Sequence, residues 1–247
     1  MDAKIVCTCT DTYGAYSHYW DKVNFDFTYL ADNTKQDFNV NGLKYNKQLV
    51  RDTFNFEGEV SKTHYWNSYG NRDIIWFYAH LRMLYFYHHN RDFNYYWFFD
   101  DDVTMGNWDL FFNSFKDNDA DFFSYYVFKN TNIGTQHKIP YIDSNTTSQH
   151  MWFERFPGDG DKLPDYVTDK FGSFFPIVRL SNQALKLLYG LLIDGVYGYS
   201  EGFVPTMLNY HEMKLDTIFD NTSTSKHFDD NIVDVKHKHS KINWSWI

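Results

Sequence analysis

Asp100, Asp101 and Asp102 stand in a row where the aromatic run "YYWFF" (residues 95–99) ends. Three adjacent carboxylates repel one another, so their place at the end of a buried-looking strand needs a reason. Alternate side chains of a strand point the same way, which would let Asp100 and Asp102 converge while Asp101 faces elsewhere. Two carboxylates at the C-terminal end of a strand in an α/β sheet lie where ligands bind. Their repulsion is best relieved by a divalent cation, which takes hard oxygen ligands. Removing one of the charges would then leave stability equal or raised without metal. A metal held by few protein carboxylates keeps open positions that phosphate oxygens fill. The alternative is a solvated acidic turn, which the flanking aromatics make unattractive.

The elements that must carry these acids can be read along the chain. "KIVCTCT" (residues 4–10) and "FDFTYLADN" (residues 25–33) read as strands. Residues 34–70 are polar and aperiodic, with Gly42, Gly58 and Gly70, and should hold loops and short helices. In residues 71–90 the apolar positions Ile74, Phe77, Tyr78, Leu81, Leu84 and Tyr85 recur at helical spacing, with Asp73 in the first turn. "NYYWFF" (residues 94–99) is the strand that delivers Asp100. Asn107 can cap a helix over "WDLFFNSF", and "ADFFSYYVF" (residues 120–128) reads as a further strand. Residues 129–170 are polar and irregular, a length that in a compact domain usually serves function. Ser181 caps a helix that ends near Gly195. "EGFVPTMLNYHEM" is another helix, in which Pro205 implies a late start or a kink. Strand, helix and strand alternate, which fits an α/β/α sandwich with a mostly parallel central sheet in a single domain.

Composition narrows the function classes. The net charge is −9, and no basic stripe could track a phosphate backbone, which argues against nucleic acid. No run approaches the roughly 20 apolar residues of a membrane span, and the N-terminus is no signal peptide, so a cytoplasmic location is expected. Cys7 and Cys9 are one residue apart on a strand and point to opposite faces, which disfavours a bridge. Aromatic residues make up 21% of the chain. They supply core, and Tyr and Trp also stack on sugar rings; Trp152, Phe153 and Phe156 are candidates for stacking on an acceptor.

"WFFDDDV" resembles the Asp-x-Asp signature of GT-A-fold glycosyltransferases, and "GNWDLFF" is similar to a pattern in some bacterial members. "KIVCTCT" and "YLADN" resemble the family's first two strands. "FGSFFPIVRLSNQALKLL" is similar to its glycine-containing loop and following helix, "YSEGFVPTMLN" to the segment that brings an acidic catalytic residue, and "DVKHKH" to the late histidine that completes the metal site. The resemblance implies a GT-A-type, Rossmann-like domain over residues 1–247, with a nucleotide-sugar-binding half at 1–128 and an acceptor-binding, catalytic half at 129–247. It implies transfer of a sugar from a nucleotide-diphosphate sugar to a glycan or other hydroxyl acceptor. Asp100, Asp102 and His237 would hold Mn²⁺ or Mg²⁺, with His239 competing for the histidine's place. Asp32, Asp101, Gly172, Ser173 and Lys236 would meet the donor. Glu201 would be the base of an inverting reaction, although the family often has Glu-Asp where this chain has Glu201-Gly202.

Two rivals use the same residues differently. "DDDVT" satisfies the Asp-x-Asp-x-Thr pattern of haloacid-dehalogenase-type phosphatases, with Asp100 as nucleophile and Asp102 as acid/base. That motif normally sits on the first strand, whereas here two strands and a long helix come before it. A non-catalytic carbohydrate-binding module would use the aromatics but leave the aspartates and Glu201 without work.

Overall fold

The computed structural model describes residues 2–9, 20, 23–34, 37–56, 79–125, 127–130, 164 and 166–218. The described residues form nine strands and five helices. In chain order these are β1 (Ala3–Cys9), β2 (Thr28–Asp32), β3 (Gly42–Tyr45), α1 (Lys47–Phe54), α2 (Ala79–His89), β4 (Tyr95–Asp100), α3 (Trp108–Ser114), β5 (Phe122–Ser124), β6 (Val127–Asn130), β7 (Lys170–Ser173), β8 (Ile177–Ser181), α4 (Asn182–Ile193), α5 (Ser200–Tyr210) and β9 (Leu215–Thr217).

Seven strands make one mixed sheet in the order β3-β2-β1-β4-β8-β5-β9, and β6 pairs with β7 in a separate antiparallel ribbon. The first four strands of that order are mutually parallel. The described sheet is mostly parallel, as expected, with β8 the exception, antiparallel to both β4 and β5. The reason is local: residues 174–176 join β7 to β8 beside the end of β4, so β8 must run back along it.

Strand alternation divides the core between the two faces of the sheet. Tyr96 and Phe98 of β4 join Val6, Leu30 and Val178 in a cluster with the buried sides of α1, α2, α4 and α5. Trp97 and Phe99 join Cys7, Ala31 and Ile177 against Trp20 and α3. A strand buried on both faces reads as a continuous apolar run, which is why β4 is nearly all aromatic. Each fully buried Phe contributes roughly 1.5–3 kcal/mol, so β4 is a stiff support for whatever follows it.

Short polar side chains set the helix starts. The Asn46, Asn107 and Ser181 side chains accept from the Leu49, Leu110 and Ala184 amides, as N-caps do. Gly42 is needed because a Cβ there would collide with the Tyr29 backbone across the ladder. Gly195, just past α4, has φ +75°, the left-handed turn that glycine adopts without strain. No helix among the described residues is long and apolar enough to cross a membrane.

Candidate functional site

Because β3, β2, β1 and β4 are parallel, their C-terminal ends share one edge of the sheet. Register places Thr8 opposite Asp100 and Asp32 opposite Tyr45. Asp100 is the last residue of β4 and follows the parity of Tyr96 and Phe98, which puts it on the α2 side. There Arg82 of α2 meets it, with Nη2 2.7 Å from Asp100 Oδ1. The Thr8 hydroxyl lies 2.9 Å from the same oxygen.

Arg82 is a residue that sequence reading missed. Burial alone pulls its pKa down, but the negative surroundings, Asp100 first and then Asp101 and Asp32, outweigh that effect and hold it above its ordinary value. A guanidinium on α2 thus ties the ends of β2, β3 and β4 into one electrostatic unit. The expected relief of the aspartates by a cation alone is therefore incomplete, because the protein supplies part of the countercharge itself. Removing Asp100's charge would take away the direct ion-pair partner of Arg82, a cost to set against the relief of repulsion among the aspartates. The signal was present as an arginine in an otherwise apolar helical stretch, but helical periodicity gave no reason to place it inward.

The strand ends at Asp100, so strand alternation does not extend to Asp101 and Asp102. Both lie in a turn and both are buried, at 2% and 3% exposure. The Asp101 backbone is held on two sides, its N–H donating to the Thr8 carbonyl at 3.1 Å and its carbonyl accepting from Trp20 Nε1 at 2.9 Å. The turn is closed by the Val103 N–H donating to the Asp100 carbonyl. Asp32 ends β2, and its Oδ1 accepts from the Thr34 amide at 2.9 Å, a local turn bond.

A second acid reaches this edge from another element. Glu201, in the first turn of α5, is buried at 8% exposure. Its Oε2 accepts from the Tyr199 hydroxyl at 2.7 Å and its Oε1 from the Phe175 amide at 3.2 Å. The next residue along, Pro176, accepts from the Asp100 amide at 2.9 Å. The adjacent residues Phe175 and Pro176 therefore connect the Asp100 amide to the Glu201 carboxylate. Burial raises the Glu201 pKa from 4.5 to about 7. Tyr199 and Phe175 act against that rise and the negative charge of Asp100 adds to it.

The sequence also explains how α5 is held. Pro205 stands inside the helix and has no N–H, so the carbonyl four residues earlier, that of Glu201, loses its helical donor. The Ser173 hydroxyl takes that place at 3.0 Å. Next to it, the Thr206 hydroxyl accepts from the Phe171 N–H at 2.9 Å and faces its carbonyl at 3.2 Å. Gly172 and Ser173 are thus not in a loop, as the resemblance implied, but in β7, and Ser173 supports Glu201 from below. Ser200 adds a third tie: its hydroxyl accepts from the His80 N–H at 3.0 Å and lies 2.8 Å from His80 Nδ1. Burial lowers the His80 pKa from 6.5 to about 3, so the ring is neutral.

Asp32, Asp100 and Asp101 all act on Arg82, Glu201 feels the Asp100 charge, Ser173 holds the Glu201 carbonyl, and Asp102 lies in the turn after Asp100. Among the described residues, no group of three or more His, Cys, Asp or Glu side chains is placed to hold a metal ion. His237, His239, Lys236, Trp152, Phe153 and Phe156 lie outside the described residues. No protein-family model matches the chain, and no curated protein matches it.

Proposed function

We propose that the chain is a divalent-metal-dependent glycosyltransferase of the GT-A kind, transferring a sugar from a nucleotide-diphosphate sugar to a hydroxyl acceptor with inversion. The observation that supports this reading most is the pairing of the two acids. Asp100 ends a buried parallel strand, and Glu201, from a distant helix, lies within reach of its charge and has a pKa near neutrality. A general base works best when its pKa lies near the working pH.

Carboxylate oxygens are the ligands that a hard cation takes. Asp100 and Asp102 offer oxygens in a neighbourhood where the charges of Asp32, Asp100 and Asp101 all act on the one guanidinium of Arg82, so negative charge is in excess. Asp100 and Asp102, joined by His237, would hold Mn²⁺ or Mg²⁺, and the ion when bound supplies Lewis-acid stabilisation to a leaving diphosphate. The protein's own part is proton removal and placement. Glu201, as carboxylate, takes the proton of the acceptor hydroxyl. The acceptor oxygen forms its bond to the anomeric carbon as the bond to the diphosphate oxygen breaks, and the electron pair leaves with the nucleoside diphosphate. Arg82 and Thr8 hold the Asp100 carboxylate in one orientation while this happens.

The test is a panel of nucleotide sugars incubated with the protein and Mn²⁺, read by release of nucleoside diphosphate. The proposal expects metal-dependent release from at least one donor, reduced by roughly 10²–10⁴ in Glu201→Gln. Turnover of a phosphomonoester instead, abolished in Asp100→Asn, would replace this reading with the phosphatase.

A further inference from the structure

Tyr199 occupies a position where the chain breaks a local rule. It is the N-cap of α5, a place favouring Ser, Thr, Asp or Asn, because a short side chain there can accept from a first-turn amide. Tyr199 makes no such cap bond. Its hydroxyl instead reaches two residues forward and donates to Glu201 Oε2 at 2.7 Å, with both residues buried. A residue that gives up capping to hold a neighbouring carboxylate has been placed for the carboxylate.

We propose that Tyr199 is the positioning residue for Glu201, its hydroxyl and the Phe175 amide clamping one carboxylate oxygen each so that the remaining lone pairs point in one fixed direction. A carboxylate has about four acceptor sites. The clamp takes two, one on each oxygen, which stops rotation of the group about its terminal bond and leaves the others for an incoming hydroxyl. The rest of the helix start is held independently: Ser173 takes the Glu201 carbonyl and Ser200 engages His80. Loss of the Tyr199 hydroxyl should therefore free the carboxylate without freeing the helix.

The clamp has a signature that packing alone would not produce. Among the described residues, the groups facing Glu201 are Tyr199 from its own segment, the Phe175 amide from the β7–β8 segment, Asp100 from β4, the Ser173 hydroxyl on its backbone carbonyl, and neutral His80 from α2 behind Ser200. Hydrogen bonds to the carboxylate favour its charged form, whereas the Asp100 charge disfavours it. Tyr199→Phe must then move Glu201's titration midpoint upward and Asp100→Asn must move it downward. A fluorinated tyrosine at position 199, a stronger donor of nearly the same shape, must move it downward as well.

The measurement is infrared difference spectroscopy of the full chain against pH, following the protonated-carboxyl band that is missing in Glu201→Gln. The expected wild-type midpoint is about 7, higher in Tyr199→Phe and lower with fluorotyrosine. A midpoint that stays put, or that falls in Tyr199→Phe, overturns the clamp. Should Tyr199→Phe fail to fold, the fluorotyrosine protein decides alone.

The kinetic arm rests on the proposed function. With a nucleotide sugar that turns over, Tyr199→Phe should lower kcat by about 10- to 100-fold, leave the donor KM unchanged, and shift the pH profile by the spectroscopic amount. An unchanged kcat with a shifted midpoint would overturn the positioning role. Absence of turnover in the wild type would overturn the glycosyltransferase reading, while the spectroscopic result would still settle the clamp.

Discussion

Arg82 and Asp100 are the pair on which the site's charge balance turns. The guanidinium side chain is 6% exposed and the carboxylate 25%, with 2.7 Å between Nη2 and Oδ1. Removing one partner of a largely buried pair leaves the other uncompensated and typically costs about 3–5 kcal/mol. Arg82→Met should therefore lose that much in urea unfolding. Asp100→Asn should lose a comparable but smaller amount, because an amide still accepts from Thr8. The double variant should recover part of the sum, since neither charge is then stranded. Additive losses would mean that the pair does not couple. At this scale the acids were legible in the sequence, because a charge run against an aromatic run is conspicuous. Arg82 and Tyr199 were not: one sits in a helix buried nearly all round, where periodicity does not mark an inward polar residue. The other holds a carboxylate from a position whose usual task is capping.

The contact between α5 and β7 decides where Glu201 stands. Pro205 deprives the Glu201 carbonyl of its helical donor, and Ser173 replaces that donor from the strand. Ser173→Ala leaves a buried carbonyl short of a partner and should destabilise by about 1–3 kcal/mol. In a Pro205→Ala background the restored amide can reach the same carbonyl, so the second loss should be clearly smaller. Equal losses in both backgrounds, measured by denaturant unfolding, would show that the serine bond does not substitute for the helical one. Long elements with a dominant signal were readable in the sequence: β1, β4 and the capped starts of α3 and α4. Of the short ones, β2 and β5 fell within expected strands, but others did not. β3, β7 and β8 have four or five residues each, and β8 carries Arg179 in mid-strand. That arginine is tolerated because it lies over the rings of Tyr95, Trp97 and Phe123 and donates to the Phe115 and Ala120 carbonyls, a tertiary circumstance invisible in a local pattern.

For the whole molecule, two buried groups impose opposite dependences of stability on pH. His80 falls from 6.5 to about 3 on folding, so below pH 6.5 the unfolded chain binds a proton that the native state refuses, and stability drops as pH falls. Glu201 rises from 4.5 to about 7, so between those values the native state holds a proton that the unfolded chain has lost, and stability rises as pH falls. Each acts at about 1.4 kcal/mol per pH unit, so they offset between pH 4.5 and 6.5, and His80 acts alone below. Relative to wild type, Glu201→Gln should lose stability steadily as pH falls from 7 to 4.5, and His80→Asn should gain it from 6.5 downward. Parallel curves for either variant would contradict the burial of that group. An α/β fold was legible from the alternation of strands and helices, whereas the reversal at β8 depends on a turn that no local pattern announces. The central claim, that the Asp100 edge binds a nucleoside diphosphate through a divalent ion, is tested most directly by thermal unfolding with UDP or GDP, with and without Mn²⁺, in wild type and Asp102→Asn. Linked binding predicts a rise in Tm that needs nucleotide and metal together, amounting to about 2.7 kcal/mol at a hundredfold excess over Kd, and lost in the variant. No shift with either nucleotide, or the same shift in Asp102→Asn, would contradict it.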